Sequence, residues 1–430
     1  MNWEKVNSFI DHFILFCFCV FVFFLPIAHT ETIRAFSFGI PAGIWFLRMI
    51  FQRRWLAVKT PLDLPIILFT IVTALSLITA VDFRYSVHEY FYEWLSGILL
   101  FYLVVNNLRE GQMKYLLGVL LIGNMVMVSY GIYDFFHRGG ALFDYRVRAG
   151  SLHSGFYTFS VYLLTTIPYL LIAFFSLKKS AGRLALALLL FLNVFALYLT
   201  HTRGAWVAMA VLLFGVGWKF LPKKWLLFSA GIAVLIVYLF APQKILMHYT
   251  GISPPGAPHD FIETSQARWE LTKFALEKIK ENPFQMIGYG RGSFVKKYRD
   301  FYLQYKGAQL WHAHNVFLDV ALQTGVQGLV LFFFLLYRIL KFSYVSAAAE
   351  NFPLRKLYFL SSFVMVISFF VVNLFDDCFI DDSALLFWFL IGAAVALQKG
   401  KAEQESAGDQ RGVFLPRKLL SKPSWFFSSP

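Results

Sequence analysis

Apolar runs long enough to cross a membrane recur along the whole sequence, and they constrain its fold more than any other feature. A spanning helix needs about 20 mostly apolar residues. The candidate runs, some of them short, are residues 8–29, 35–51, 63–81, 93–107, 114–135, 155–176, 184–200, 205–218, 225–241, 315–337, 357–375 and 384–398. Hydrophobic residues make up 58% of the chain and charged residues only 15%, whereas about 25% of the residues in soluble domains are charged. The sequence therefore predicts an all-α polytopic membrane protein with about twelve transmembrane helices, and it excludes an ordinary soluble enzyme.

Lysine and arginine favour alternate loops and so orient the chain. If the N-terminus is cytoplasmic, the inner loops receive most of the basic residues, as the positive-inside rule requires. These are Arg53, Arg54, Lys59, Arg109, Lys114, Lys178, Lys179, Arg183, Lys219, Lys223, Lys224, Arg338, Lys341, Arg355 and Lys356. The basic residues do not form the stripe that nucleic acid requires, so we expect the net charge of +14 to report topology and no nucleic-acid partner. The first span is too long for a cleavable signal peptide and is expected to remain in the mature protein.

Arginines, without lysines, occupy the short loops predicted to lie outside. They are Arg34, Arg84, Arg138, Arg146, Arg148 and Arg203. Arginine on this side works against the orientation rule, so we expect a task for these residues. Arg203 lies in the tight hairpin 201–204 between two spans, where a guanidinium needs an anion. Snorkelling of Arg203 to a lipid phosphate explains its position about equally well.

One connection is far longer than the others, because residues 242–313 separate the ninth and tenth predicted spans. It begins with a Pro/Gly-rich region at 252–258 and then has a helical pattern over 263–281, capped by Thr264 or Ser265. The apolar side of this helix comprises Trp269, Leu271, Phe274, Leu276 and Ile279. We predict a small outer subdomain that lies on the membrane. The predicted organisation is 1–241 for helices one to nine, 242–313 for the loop subdomain, 314–398 for helices ten to twelve and 399–430 for a cytoplasmic tail.

The stretch 312–328, HAHNVFLDVALQTGVQG, contains the most informative polar residues. His314 and Asn315 lie at the outer mouth of the tenth span. The helix macrodipole disfavours an imidazolium there, so we expect a lowered pKa for His314, which suits a general base. From position alone, His314 could also be an interfacial histidine and Asn315 a helix cap. The helix is expected to continue through Gly325 and Gly328, which share a face and let another helix approach closely.

Two groups of side chains have the composition of weak metal sites. His312 with His314 is an H-x-H pair, a weak metal signal because no acidic ligand is assigned to it. The acidic turn of Asp376, Asp377, Asp381 and Asp382 could hold a divalent cation, but keeping an outer loop acidic is the favoured explanation. No chemistry is assigned to Cys17, Cys19 and Cys378. We therefore expect neither a metal nor a cofactor.

Further arginines could contact an anion. Arg268 lies on the predicted outer helix, and together with Arg203 it could clamp a pyrophosphate bidentately, although alone it is better explained as a solvated helix residue. Arg291 lies in the glycine-rich run 288–292, which could cradle phosphate or simply form a turn. Arg146 and Arg148 could be further anion contacts or only interfacial anchors.

The chain resembles the bacterial O-antigen ligases. His314-Asn315, nine residues, Gly325, two residues and Gly328 reproduce their H-[NSQ]-x9-G-x-x-[GTY] pattern. The twelve predicted spans, the long loop between spans nine and ten and the HTRGAW hairpin are also similar to that family. The segment ARWELTKFALEKIKENPFQMIGYGRGSF is similar to the periplasmic helix and glycine turn of the wider ligase and polymerase superfamily. The resemblance extends over about residues 140–395.

This resemblance implies a GT-C-like glycosyltransferase of the bacterial inner membrane with its active site facing the periplasm. It implies that a polysaccharide passes from undecaprenyl diphosphate to a lipid A-core sugar in lipopolysaccharide biosynthesis, without a metal or nucleotide. Arg203 and Arg268 would hold the diphosphate, and His314 would take the proton of the acceptor hydroxyl, with inversion at the anomeric centre. The family's late acidic residue would correspond to Asp376 or Asp377.

Three other activities fit parts of the pattern. A polymerase of O-antigen or another envelope polysaccharide differs only in using a carrier-linked acceptor. A protein O-oligosaccharyltransferase is disfavoured because the chain has no sizeable C-terminal periplasmic domain. A secondary transporter often has twelve spans but places its charges at the membrane midplane, whereas the charged residues here gather at the predicted outer margin.

Overall fold

Helix is the structure that this composition demands, because a backbone in lipid must satisfy its own hydrogen bonds. A computed structural model describes residues 3–53, 57–142, 146–153, 155–177, 179–220, 259–304 and 312–410. Across these ranges the regular structure is helical and no β-strand is present. Eight of the helices are long and apolar enough to cross a membrane, and 63–76 and 203–216 are shorter apolar helices. The prediction of an all-α polytopic membrane protein is confirmed.

The helices are numbered here in chain order over the described residues. They are α1 (Trp3–Phe24), α2 (Glu31–Gln52), α3 (Asp63–Ser76), α4 (Phe83–Glu89), α5 (Ser96–Asn107), α6 (Met113–His137), α7 (Phe156–Ser176), α8 (Ser180–Leu199), α9 (Arg203–Phe220), α10 (His259–Glu281), α11 (Gly292–Lys297), α12 (Arg299–Gln304), α13 (Val316–Ala348), α14 (Pro353–Val372) and α15 (Asp381–Gln410). Every predicted span in the described ranges falls on one of these helices, whereas the predicted span 225–241 and the Pro/Gly-rich region 252–258 lie outside those ranges.

Two predicted boundaries differ in the structure. A π-helical turn, Tyr90–Leu95, joins α4 to α5, so the predicted span 93–107 is the second part of a longer helical segment. Helix α15 continues beyond residue 398, where the predicted tail begins. Residues 411–430 of that tail lie outside the described ranges.

Ion pairs join helix ends at the side predicted to be cytoplasmic. The Asp11 carboxylate of α1 lies 2.9 Å from Arg48 of α2 and also pairs with Arg109, which follows α5. Arg355, at the start of α14, forms two contacts with Glu110. These basic residues therefore hold helix ends together, in addition to obeying the positive-inside rule.

Two arginines predicted to lie outside have structural partners. Arg34 of α2 pairs with Asp382 in the first turn of α15. Arg138 pairs with Asp134 at 2.7 Å, one helical turn earlier. Each of these two arginines therefore has a structural task, because each forms an ion pair. One of the pairs engages Asp382 of the acidic turn.

The core that supports the outer surface is built around α14. This helix packs against α7, α9 and α13, while α15 packs against α5. Below the α14–α15 connection, aromatic rings meet mostly edge to face; they are Phe332, Phe369, Phe370, Phe379, Phe387 and Trp388. Such aromatic pairs contribute about 0.5–1.5 kcal/mol each beyond their buried area. They give the 373–380 connection a packed base.

Helix α10 covers the segment 263–281 for which the sequence predicts a helix, and it begins about one turn earlier. It begins at His259 rather than at 263, so Thr264 and Ser265 lie inside the helix and do not cap it.

Part of the predicted apolar side of α10 forms a second small core. Leu271 and Ala275 pack with Phe294 and Leu322, a residue of α13. Trp269 and Leu276, which belong to the same predicted apolar side, stay 60% and 52% exposed within this chain. The spacing of the two residues puts them beyond the narrow stripe that α13 covers.

Helix α13 breaks at Gly325, contrary to the predicted continuous helix. Gly325 has φ 75° and ψ 173°, a conformation that suits only glycine. The carbonyl oxygens of residues 322 and 323 consequently accept hydrogen bonds, each 3.3 Å long, from the backbone of residues 287 and 288. Val326 donates its N–H to Pro283 at 2.8 Å. A turn of the loop subdomain therefore enters the break and satisfies the backbone groups that it frees.

Gly328 has no room for a side chain. A Cβ at this position would lie 1.9 Å from Oγ1 of Thr324, a side chain of the same helix. The expectation that the two glycines let another helix approach stays a prediction.

Candidate active site

The residues before α13 are fixed by the helix cap that Asn315 forms. Its Oδ1 accepts hydrogen bonds from the backbone N–H groups of Phe317 and Leu318, at 2.9 and 3.3 Å. Its Nδ2 donates to the carbonyl of Leu374 at 3.1 Å. His314 next to it has φ 49°, in the left-handed region that non-glycine residues seldom adopt. Such conformations persist where the surrounding structure holds them.

His314 contacts one carboxylate of the acidic turn. Its Nδ1 lies 3.0 Å from Oδ1 of Asp376. The pKa of His314 is lowered, mainly because burial disfavours the imidazolium, although Asp376 partly opposes this. The positive charges of His312 and Arg268 lower it further. The predicted direction is correct, but the largest cause is burial and not the helix macrodipole.

His312 lies buried between two carboxylates. Its Nδ1 is 3.1 Å from Oδ2 of Asp319, and its Nε2 is 3.1 Å from Oδ1 of Asp376. Burial alone would lower the pKa of His312, but the hydrogen bonds to these carboxylates raise it to about 10. Burial would likewise raise the pKa of Asp376, but the hydrogen bonds from His312 and His314 hold it well below its usual value.

These protonation states fix the tautomer of His314. An ionised carboxylate only accepts hydrogen bonds, so Nδ1 of His314 carries the proton that it donates to Asp376. The Nε2 atom of a neutral His314 then carries the lone pair. A base oriented by a carboxylate in this way can take a proton from a bound hydroxyl group.

Arg268 lies near this histidine, and Arg203 has both Arg268 and Arg148 within electrostatic range. Arg268 of α10 donates to the carbonyl oxygen of Phe375, the neighbour of Asp376, at 3.2 Å, and its charge acts on His314. Like charges gathered in this way disfavour each other, so the cluster suits a polyanionic ligand.

Close packing places the arginine hairpin beside the acidic turn. A Cβ at Gly204 would lie 2.7 Å from the Cβ of Phe375, so glycine is what allows this approach. The guanidinium of Arg148 also stacks over the ring of Phe156, 4.5 Å from its centroid. Arg146 has an exposed side chain.

Arg291 lines a different space. It borders a cavity of about 20 Å³, room for roughly one water molecule, together with Asp377, Gln323 and Glu93. Burial and the nearby Asp319 raise the pKa of Asp377 to about 7. The glycine turn before α11 serves as a turn here, since the N–H of Gly290 donates to Oε1 of Gln323 at 3.1 Å.

Two overlapping sets of side chains bring possible metal ligands within 4.8 Å of one another. They are His312, His314 and Asp376, and His312, Asp319 and Asp377. Imidazole and carboxylate groups together suit several transition metals. The same ring nitrogens already meet carboxylate oxygens at hydrogen-bonding distance, so we assign these atoms to a hydrogen-bond network. Metal independence stays a prediction.

Sequence reasoning missed two members of this network. Asp319 received no role, and His312 was considered only as a metal ligand. A signal for Asp319 was present, because it is the one acidic residue in the predicted span 315–337. An ionisable residue inside a predicted span is expected to have a partner or a function.

The family model described as O-antigen ligase matches residues 184–333. Over 160 residues the chain is 27% identical to an O-antigen ligase of Salmonella typhimurium (strain LT2), an alignment that covers 35% of this chain and 38% of that protein. Over 98 residues it is 30% identical to a protein of Rickettsia bellii that carries the name polysaccharide ligase, covering 21% of this chain and 24% of that protein. The chain thus matches well under half the length of either relative.

The matched segment contains the parts of the site that come before α14. Arg203, Arg268 and His314 lie inside it, whereas Asp376 lies beyond its end. The structure adds eight apolar helices of membrane-spanning length over the described residues. The chain is therefore similar to the O-antigen ligases over residues 184–333, which include three of the residues of this site.

Proposed function

We propose that this protein is a glycosyltransferase that joins a polysaccharide to a lipid A-core sugar, taking it from undecaprenyl diphosphate at the periplasmic face of the bacterial inner membrane. One observation carries the proposal. A histidine oriented by a carboxylate, His314 with Asp376, lies within the field of Arg268, which in turn lies near Arg203. These are a base and an anion-binding cluster, the two features that transfer from a sugar diphosphate requires.

In this reaction the donor already contains the leaving group. His314 Nε2 takes the proton from the acceptor hydroxyl as its oxygen attacks the anomeric carbon. The bond from that carbon to the diphosphate oxygen breaks, and undecaprenyl diphosphate departs with both bonding electrons. Attack opposite the leaving group inverts the anomeric centre. No oxidation or added nucleotide is needed, so the protein's contribution is positioning and electrostatic stabilisation.

The arginine cluster is assigned to the departing diphosphate. A guanidinium can donate two parallel hydrogen bonds to phosphate oxygens, which an ammonium group cannot do. Arg203 and Arg268 are the principal contacts in this proposal, with Arg148 as a third cation close to Arg203. Arg291 is left out because it lines the cavity beside Asp377.

The experiment uses purified protein in a chelating buffer with an undecaprenyl-diphosphate-linked glycan. Two acceptors are offered separately: lipid A-core and a second carrier-linked glycan. We expect product with lipid A-core while the chelator is present. Product only with the carrier-linked acceptor would make the protein a polymerase. Activity that the chelator abolishes and a metal ion restores would contradict the metal-free mechanism. Glycan transport without any transfer would overturn the enzymatic proposal.

A further inference from the structure

A second histidine beside His314 is held more tightly than His314 itself. His312 is 4% exposed, and both of its ring nitrogens meet carboxylates, Asp319 on one side and Asp376 on the other, each at 3.1 Å. Asp319 also accepts the backbone N–H of Ala313 at 2.9 Å. The side chain is therefore fixed from both ends, with no room for it to act on a substrate.

We propose that His312 is a positioning residue: a permanently protonated imidazolium that bridges Asp319 and Asp376 and keeps Asp376 ionised and directed at His314. The role in catalysis rests on the proposed function, but the protonated bridge itself does not. His312 thus sets the proton affinity of His314 through Asp376 without touching substrate.

The two carboxylates determine the protonation of His312. Each of them only accepts hydrogen bonds when ionised, so a ring that serves both must donate from both nitrogens, and such a ring is cationic. Two buried carboxylates without a cation between them would be costly. The backbone N–H of His314 also points at Nδ1 of His312, 3.1 Å away, and it could donate there only to a neutral ring with a lone pair on Nδ1. We assign a proton to Nδ1, donated to the carboxylate of Asp319, because a charge-assisted hydrogen bond is stronger than one from a backbone amide to a neutral ring.

Several other charged or titratable groups act on this network. Arg268 from α10 acts on His314, Tyr157 from α7 and Cys378 from the α14–α15 connection act on Asp376, and Asp377 of the same connection acts on His312 and Asp319. Arg291, from the turn before α11, acts on Asp377. None of them replaces the direct contacts that His312 makes. The positive charge of His312 lowers the pKa of His314, whereas the charge of Asp376 raises it. Loss of the His312 charge therefore raises the pKa of His314 as long as Asp376 stays ionised.

The first test is the pH profile of kcat/KM for glycan transfer in His312→Gln. Glutamine still donates a hydrogen bond to one carboxylate but carries no charge. A base works only when deprotonated, so the acidic limb of the profile should move to higher pH, by about one unit for a nearby charge.

His153→Gln is the matched control, because His153 is another partly buried histidine and packs against Tyr162 instead. Its acidic limb should stay in place. A uniform loss of activity in His312→Gln with an unmoved limb would assign His312 to packing alone and overturn the proposal.

The second test does not depend on activity. Nitrogen-15 NMR of histidine-labelled wild type at pH 8 should show an imidazolium signal that disappears in His312→Gln. If that variant does not fold, Asp319→Asn serves instead, since removing one carboxylate should make this signal titrate at lower pH. A neutral imidazole for His312 at pH 8 overturns the proposal. If wild type proves inactive in transfer but keeps the imidazolium, the proposed function fails and the protonated bridge stands.

Discussion

At the scale of single residues, the two ring nitrogens of His314 have different tasks. Nδ1 is occupied by Asp376 at 3.0 Å, and this contact leaves Nε2 as the atom that can accept a proton. Burial keeps the ring neutral. The left-handed backbone of His314 lies directly before the Asn315 cap, which fixes the start of α13. The site is thus arranged before any substrate binds.

Replacing Asp376 with asparagine should keep the volume of this side chain but remove the carboxylate that orients His314. We expect Asp376→Asn to lower kcat/KM for transfer by roughly 10²–10⁴-fold, the range for a disabled general base. Asp381→Asn is the control, because its side chain is exposed in the same acidic turn. Equal activity of the two variants would remove Asp376 from the mechanism.

Arg203 should not tolerate lysine. If it grips a diphosphate with two hydrogen bonds, Arg203→Lys keeps the charge but loses the paired donors and should lower kcat/KM by about 100-fold. The exposed outer Arg84 gives the matched control Arg84→Lys, which should remain near wild type. Full activity of Arg203→Lys would reduce its role to that of a general positive charge.

The sequence identified some of these residues and missed others for physical reasons. His314 and Asn315 stand at a helix start in a short motif, so their position is locally encoded. The choice between Asp376 and Asp377 depends on how the connection between α14 and α15 packs against α13. The two residues are adjacent, so the sequence alone could not tell which of them faces the histidines. The structure separates their roles. Asp376 contacts both histidines, whereas Oδ1 of Asp377 accepts the backbone N–H of Phe379 at 3.2 Å.

At the scale of elements, the break in α13 links the membrane part to the loop subdomain. Residues 316–324 carry Asp319 and pack against α10, while the longer part after the break packs on α3 and α14. The turn 283–288 fills the break by hydrogen bonds to α13. The break and the turn therefore join the loop subdomain directly to residues 316–324, the first part of α13.

Alanine at Gly325 should destabilise this junction. Its φ of 75° costs a residue with a Cβ about 1–2 kcal/mol, and the added atom would lie 2.3 Å from the Gln327 side chain. We expect Gly325→Ala to lower the thermal unfolding midpoint in detergent and to reduce transfer as well. Gly118→Ala is the control, since Gly118 is helical with open space around it and alanine favours helix there. An unchanged midpoint in Gly325→Ala would show that the break is not required.

The spans could be predicted because each one needs only its own apolar run. The break could not, because a glycine inside such a run reads equally well as a packing site for another helix. Its true partner, the turn 283–288, lies in a separate part of the chain. The exposure of Trp269 could not be predicted for a similar reason, because the width of the stripe that α13 covers depends on how the helices pack.

At the scale of the whole molecule, the two ends of the helix bundle differ. Basic residues at the predicted inner end are engaged in ion pairs such as Arg48–Asp11 and Arg355–Glu110. At the predicted outer end, Arg34 and Arg138 are likewise in ion pairs, and in addition the charges of Arg268 and Arg148 act on Arg203. The proposed function assigns the diphosphate to this arginine cluster.

The pH dependence of wild-type transfer follows from this environment. His314 must be neutral to act, and its pKa lies below the ordinary value of 6.5. We expect kcat/KM to stay level from neutral pH down to about 6.5 and to fall only at lower pH, as His314 gains a proton. A profile measured with a neutral acceptor isolates this group. A midpoint clearly above 6.5 would mean that another residue is the base.

The most direct measurement is single-turnover transfer of glycan from undecaprenyl diphosphate to lipid A-core by purified His314→Gln, beside wild type and the exposed-site control His88→Gln. The variants must insert and accumulate equally. We expect wild type and His88→Gln to form product at the same rate, and His314→Gln to bind the donor as tightly as wild type yet form product at least about 100-fold more slowly. Product formation by His314→Gln at the wild-type rate would contradict the assignment of this histidine as the base.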